Sequence, residues 1–125
     1  MAVNDRASEQ LTAQEQSAIQ AFLQSLQKYL GGQILQTILF GSKARGDSDR
    51  WSDIDILITV REESWPLRTE VSTLAADVSL EYGVLIAPRV IGQERWERMK
   101  KAGFGLYRNI AAEGIPLPLS ALEAA

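Results

Sequence analysis

The chain has 125 residues, 46% apolar and 23% charged, which predicts one soluble globular domain over residues 1–125. It contains no cysteine and no histidine, which excludes disulfides, thiolate nucleophiles, Ser–His triads and the usual zinc ligands. Any chemistry must therefore rest on carboxylates, Lys, Arg, Tyr, Ser and the backbone, and these groups suit Mg²⁺ better than zinc. A net charge of −3 argues against non-specific nucleic-acid binding, and the lack of an apolar leader or membrane span predicts a cytoplasmic protein.

The first predicted element is a helix over residues 12–30, preceded by a loose end at 1–11. Thr12 and Glu15 fit a capping box, in which each side chain satisfies the backbone N–H of the other residue. An apolar stripe follows at helical spacing and consists of Ile19, Phe22, Leu23, Leu26 and Leu30. The pair Gly31–Gly32 predicts the end of the helix in a left-handed turn.

The later elements alternate between strand and helix. Strands are predicted at 33–40, 53–60 and 84–91, and helices from Pro66 to about Gly83, at 93–101 and at 104–113. Pro88 removes one ladder donor, which places the third strand at an edge or a bulge. Segment 43–52 is polar and predicts a loop or short helical turn, and the prolines of the 115–125 tail exclude a regular helix. The pattern predicts an α/β fold with a small mixed β-sheet, helices packed on one face and the aspartates of the second strand on the other.

Those aspartates follow a glycine turn that can bind an anion. At Gly41–Ser42 the first strand ends, and a glycine there lets backbone N–H groups approach a phosphate. Asp53 and Asp55 lie two residues apart, so their carboxylates leave one face of the strand with Cα atoms roughly 6.6 Å apart. Alone, such a pair would more often be an exposed turn, but after Gly-Ser at this spacing a divalent-metal site is favoured.

This pattern resembles the signature of the DNA polymerase β-like nucleotidyltransferase superfamily: Gly41-Ser42, ten residues, then Asp53-Ile54-Asp55. Within that superfamily, Gly-Ser-Lys-Ala-Arg-Gly followed by Ser-Asp-Ile-Asp-Ile is similar to the minimal nucleotidyltransferase (MNT) antitoxins, which are paired with HEPN ribonuclease toxins. The resemblance implies a polymerase β-like nucleotidyltransferase fold. It also implies Mg²⁺-dependent transfer of AMP from ATP to a tyrosine of a cognate HEPN toxin, which neutralises the toxin, and a hetero-oligomer of the two proteins.

The resemblance also implies the site residues. The catalytic residues and metal ligands it implies are Asp53 and Asp55, and the residues that hold the triphosphate are Gly41 and Ser42. Lys43 and Arg45 are further candidates for nucleotide binding through the phosphates, although the superfamily motif does not require them. For Lys43 and Arg45, solvated side chains are an equal alternative, and Ser42 could also cap a helical turn. Trp51 could stack on a base, although packing against the domain is the more ordinary role for an aromatic residue.

One feature departs from the superfamily pattern, which usually adds a third carboxylate from a neighbouring strand. The predicted third strand contains no acid, and its only charged residue is Arg89. Glu81, just before that strand, is the best remaining candidate, with a solvated helical acid as its alternative.

Two other functions stay open. The missing acid favours an antitoxin that neutralises its toxin by binding alone. Nucleotidylation of a small molecule is the second alternative, although a chain of this length offers no second domain to enclose such an acceptor.

Overall fold

The computed structural model describes residues 11–47, 49 and 52–118. The elements, in chain order, are helix α1 (Ala13–Leu30), a 3-10 turn (Gly31–Gln33), strand β1 (Ile34–Phe40), helix α2 (Ser42–Arg45), strand β2 (Ile54–Val60), helix α3 (Trp65–Tyr82), strand β3 (Ile86–Gly92), helices α4 (Gln93–Ala102) and α5 (Gly105–Glu113), and strand β4 (Ile115–Pro116). None of the helices described has the length and apolar character needed to cross a membrane. The predictions for residues 1–10, for Trp51 and for 119–125 lie outside the described residues.

Helix α1 begins where the sequence predicts because its capping box forms. The Thr12 hydroxyl accepts a hydrogen bond from the Glu15 backbone N–H at 3.1 Å, and the Glu15 carboxylate accepts one from the Thr12 N–H at 2.9 Å. The predicted stripe is buried, and so is Leu11, which the sequence assigned to the loose end. Gly31 does not adopt the predicted left-handed conformation: its φ is −49°, and the chain tightens directly into the 3-10 turn.

The sheet is mixed, as predicted, with strand order β3-β2-β1-β4. Strands β1 and β2 are antiparallel, whereas β2 and β3 are parallel and are connected through α3. Strand β3 is an edge strand, as Pro88 predicts. Strand β4 was not predicted, because two residues that include Pro116 carry no strand pattern of their own. It is held at the other edge by the Leu117 N–H, which donates to the Thr37 carbonyl at 2.9 Å.

Helices cover both faces of the sheet. One face of β2, with Ile54, Ile56 and Ile58, packs into the core formed with α1 and α3. The opposite face packs against α4 and α5 in a second cluster that consists of Ile38, Leu57, Ile91, Met99 and Ile110. The prediction that all helices lie on one face is therefore corrected. The physical reason is that Ile38, Leu57 and Ile91, one from each of three strands, are apolar on this second face too and must be removed from water.

Candidate functional site

Strand β2 positions both predicted metal ligands. Asp53 lies immediately before the strand and is exposed, whereas Asp55 is its second residue and is half-buried. Asp55 and Leu57 lie two residues apart on β2, so both side chains project from the same face of the sheet, which α4 and α5 partly cover. Across the sheet, Asp55 is paired with Phe40 of β1 on one side and with Ala87 of β3 on the other.

The turn at Gly41 lies directly against Asp55. Gly41 has φ 76° and ψ −158°, a region that is open essentially only to glycine. A β-carbon added at Gly41 would overlap Oδ2 of Asp55 and lie 3.2 Å from its Cγ. Ser42 is half-buried and begins α2 immediately afterwards. The fold therefore brings the predicted anion-binding turn into contact with a predicted metal ligand.

The electrostatic environment of Asp55 favours a bound cation. Burial raises the pKa of Asp55 above its ordinary value, and the nearby Asp53 carboxylate raises it further. The positive charges of Arg89 and Arg45 oppose this shift only in part. Since a divalent cation would relieve both the burial and the repulsion, and since carboxylate oxygens are its preferred ligands, the two aspartates fit an Mg²⁺ ion.

A third carboxylate does not join this pair among the described residues, where no group of three or more acidic side chains is placed to hold a metal. Glu81, the candidate from the sequence, is an exposed residue of α3. Helix α3 packs against the face opposite to the one that carries Asp55. The structure therefore does not place Glu81 in the role of third ligand.

Lys43 is held in a buried ion pair beneath the turn. Its ammonium lies 2.5 Å from the Glu15 carboxylate, and the two side chains are only 3% and 9% exposed. The same ammonium donates to the backbone carbonyl of Asp49 at 2.9 Å. Burial alone would raise the pKa of Glu15, but the hydrogen bonds from Lys43 and the Thr12 backbone outweigh burial and lower it. This geometry favours a positioning role for Lys43, joining α1 to the turn, over the phosphate contact predicted from the sequence.

The sequence does not predict that Glu15 is the partner of Lys43. The capping motif accounts for one oxygen of its carboxylate, which accepts from Thr12, and gives no sign that the other oxygen binds Lys43. Only the packing of α1 beneath the turn brings the two charges together.

Arg45 is accessible near the site. Its side chain is 43% exposed, and the guanidinium binds Asp47 at 3.0 Å and Glu113 at 3.2 Å, so it links the end of α5 to α2. The hydrogen bonds to Asp47 and Glu113 raise the pKa of Arg45. A phosphate could compete for this guanidinium, because both of its ion pairs are solvent-exposed and correspondingly weak. The phosphate contact of Arg45 therefore remains a prediction.

Comparison with known proteins identifies the family of the chain. A family model described as "Nucleotidyltransferase domain" matches residues 19–102, a range that includes all the predicted site residues: Gly41, Ser42, Lys43, Arg45, Asp53 and Asp55. Three relatives from Methanocaldococcus jannaschii carry the name "Putative protein adenylyltransferase". MJ0604 is 39% identical over 100 residues, which cover 80% of this chain and 94% of the relative. MJ0141 is 38% identical over 71 residues (56% of this chain, 72% of the relative), and MJ1305 is 32% identical over 74 residues (56% and 50%).

The sheet and the family match together confirm the predicted polymerase β-like α/β fold and the predicted likeness to MNT-type nucleotidyltransferases. The chain belongs to the nucleotidyltransferase domain family.

Proposed function

We propose that this protein transfers AMP from ATP to a tyrosine hydroxyl of a cognate HEPN ribonuclease toxin and thereby acts as its antitoxin. The observation that carries the proposal is the contact between the Gly41 turn and the Asp55 carboxylate, with Asp53 two residues away. A turn suited to phosphate thus lies against a carboxylate pair suited to a divalent cation, which is what nucleotidyl transfer requires.

Two kinds of similarity support the proposed identity of the acceptor and of the partner. The names of the relatives, protein adenylyltransferases, support ATP as the donor and a protein as the acceptor. The Gly-Ser-Lys-Ala-Arg-Gly and Ser-Asp-Ile-Asp-Ile motifs resemble those of MNT antitoxins and support a HEPN toxin as that protein. The same proposal expects a hetero-oligomer with the toxin in the cytoplasm.

The transfer exchanges one phosphorus–oxygen bond for another. The tyrosine oxygen bonds to the α-phosphorus of ATP, the bond from that phosphorus to the oxygen bridging to the β-phosphate breaks, and pyrophosphate and the hydroxyl proton leave. Catalysis of this kind consists mainly of positioning and charge neutralisation. Asp53 and Asp55 would hold Mg²⁺, and a bound ion would neutralise charge on the phosphates.

The residues of the chain supply the positioning. Gly41 lets the backbone come close to a phosphate, because no side chain occupies the space against Asp55. The Lys43–Glu15 ion pair fixes the turn on α1. Arg45 offers an accessible guanidinium beside it.

A second candidate is an antitoxin that neutralises the toxin by binding alone. The specific observation in its favour is that the described residues offer only two carboxylates where a third would hold the metal more firmly. The two functions differ in whether Asp53 and Asp55 matter for protection.

The two candidate functions can be distinguished by measuring RNA cleavage by a HEPN ribonuclease encoded beside this protein's gene. The ribonuclease is incubated with Mg²⁺, ATP and either wild-type protein or the Asp53→Asn, Asp55→Asn double variant. Asp77→Asn is the matched control, because Asp77 is an exposed aspartate on α3, which packs against the other face of the sheet. Enzymatic neutralisation predicts that wild type and the control protect the RNA only when ATP is present, and that the double variant does not protect. Equal protection by the double variant, with or without ATP, would establish binding alone.

A further inference from the structure

Arg89 places a positive charge on the face of the sheet that carries the aspartates. The parallel register of β2 and β3 pairs Asp55 with Ala87 and Leu57 with Arg89. Because side chains alternate along a strand, Ala87 and Arg89 leave the same face as Asp55. With a rise of about 3.3 Å per residue and strands about 4.8 Å apart, the Cα atoms of Asp55 and Arg89 are roughly 8 Å apart.

The surroundings of Arg89 leave its guanidinium available. Arg89 is exposed, and no described carboxylate forms an ion pair with it. Ala87, the residue of β3 that is paired with Asp55, has a side chain too small to cover the Asp55 carboxylate. The charge of Arg89 is nevertheless close enough to Asp55 to favour the ionised carboxylate.

Arg45 and Arg89 belong to elements on opposite sides of β2, and the positive charges of both act on Asp55. Arg45 approaches from α2, which follows β1, and Arg89 approaches from β3. An anion held at the Gly41 turn would lie beside Asp55, and Arg89, opposite Leu57, lies two residues further along the sheet from that turn, on the side of β2 away from β1. Guanidinium groups bind phosphate through paired, charge-assisted hydrogen bonds, which makes arginine well suited to a nucleotide tail.

We propose that Arg89 is a substrate-binding residue that contacts the β- or γ-phosphate of the nucleoside triphosphate. Where a neighbouring strand could supply a further carboxylate for the metal, β3 of this chain supplies a ligand for the nucleotide itself. This inference rests on the proposed nucleotidyl transfer and adds to it the residue that distinguishes a triphosphate from a monophosphate.

The test is the affinity for ATP, pyrophosphate and AMP, measured by isothermal titration calorimetry with Mg²⁺. Arg89→Ala, Arg89→Lys and the control Arg108→Ala are compared with wild type. Arg108 is a matched control because it is an exposed arginine on α5 without a described carboxylate partner. Loss of one charged hydrogen-bonding group should weaken ATP and pyrophosphate binding by roughly tenfold to a hundredfold in Arg89→Ala. AMP affinity should stay unchanged, Arg89→Lys should recover part of the loss, and Arg108→Ala should behave as wild type.

Three outcomes would overturn the inference. If wild type binds ATP and Arg89→Ala binds it equally well, only this inference fails and the proposed function stands. If Arg89→Ala loses ATP and AMP affinity alike, Arg89 supports the site as a whole and does not recognise the terminal phosphates. If wild-type protein itself binds neither ATP nor pyrophosphate, the proposed function fails and this inference with it.

Discussion

Replacing Gly41 by alanine tests whether the turn and the carboxylate touch. The backbone of Gly41, at φ 76° and ψ −158°, is strained for any residue with a β-carbon, which costs about 1–3 kcal/mol of folding free energy. The new β-carbon would also overlap Oδ2 of Asp55, so the carboxylate must move, and such overpacking typically costs a further 1–3 kcal/mol. We expect Gly41→Ala to lower the free energy of unfolding by about 2–6 kcal/mol and to abolish Mg²⁺–ATP binding.

Two other glycines separate these contributions. Gly103 also has positive φ, +68°, but a β-carbon there would meet nothing within 4 Å, so Gly103→Ala should cost only the backbone strain of about 1–2 kcal/mol. Gly32 has neither positive φ nor a neighbour within 4 Å, and Gly32→Ala should change stability by no more than about 0.5 kcal/mol.

Urea unfolding of the three variants gives the order of stability, and calorimetry with Mg²⁺ and ATP gives the state of the site. Gly103→Ala and Gly32→Ala should both keep wild-type affinity, because neither glycine lies near Asp55. If Gly41→Ala is no less stable than Gly103→Ala, or binds Mg²⁺–ATP as wild type does, the contact between turn and carboxylate is refuted.

Two further predictions concern the charges around the turn. Lys43→Met leaves the buried Glu15 carboxylate unpaired and should lower the free energy of unfolding at pH 7 by about 3–5 kcal/mol, whereas Arg98→Met, which breaks an exposed pair with Glu94, should cost no more than about 0.5 kcal/mol. Equal losses in urea unfolding would contradict the buried pair. Asp55→Asn should stabilise the fold at pH 7. Folding raises the pKa of Asp55, so the wild type loses stability as pH rises from the unfolded pKa, about 3.9, through the folded pKa. The amide of the variant does not titrate and therefore does not cause this loss. The stability difference should vanish at pH values below about 3.9, and a variant that is less stable than wild type at pH 7 would contradict the assigned environment.

Local signals made much of the fold predictable. The capping box fixes the start of α1 through residues three positions apart, and Pro88 identifies an edge strand from its own missing donor. The spacing from Gly41 to Asp53 and Asp55 likewise predicts a shared site, because one strand ends and the next begins there. In the structure the turn and Asp55 are in contact.

What the sequence left open depends on contacts between distant segments. Thr37 binds the backbone of Leu117 across a separation of 80 residues, so the two-residue strand β4 forms only when the rest of the sheet is present. The Lys43–Glu15 pair joins two motifs that each have a sufficient local explanation, a phosphate turn and a helix cap. The relation of Arg89 to Asp55 likewise requires the parallel register of two strands, which composition alone does not specify.

The proposed function requires that Asp53 and Asp55 direct the transfer of a nucleotidyl group to a protein. The most direct measurement supplies ATP labelled at either the α- or the γ-phosphate, with Mg²⁺ and the HEPN partner, to wild-type protein and to Asp53→Ala. We expect that label from the α-phosphate alone becomes attached to the partner and that Asp53→Ala abolishes the attachment. Attachment of the γ-label, or an undiminished α-label with Asp53→Ala, would contradict it.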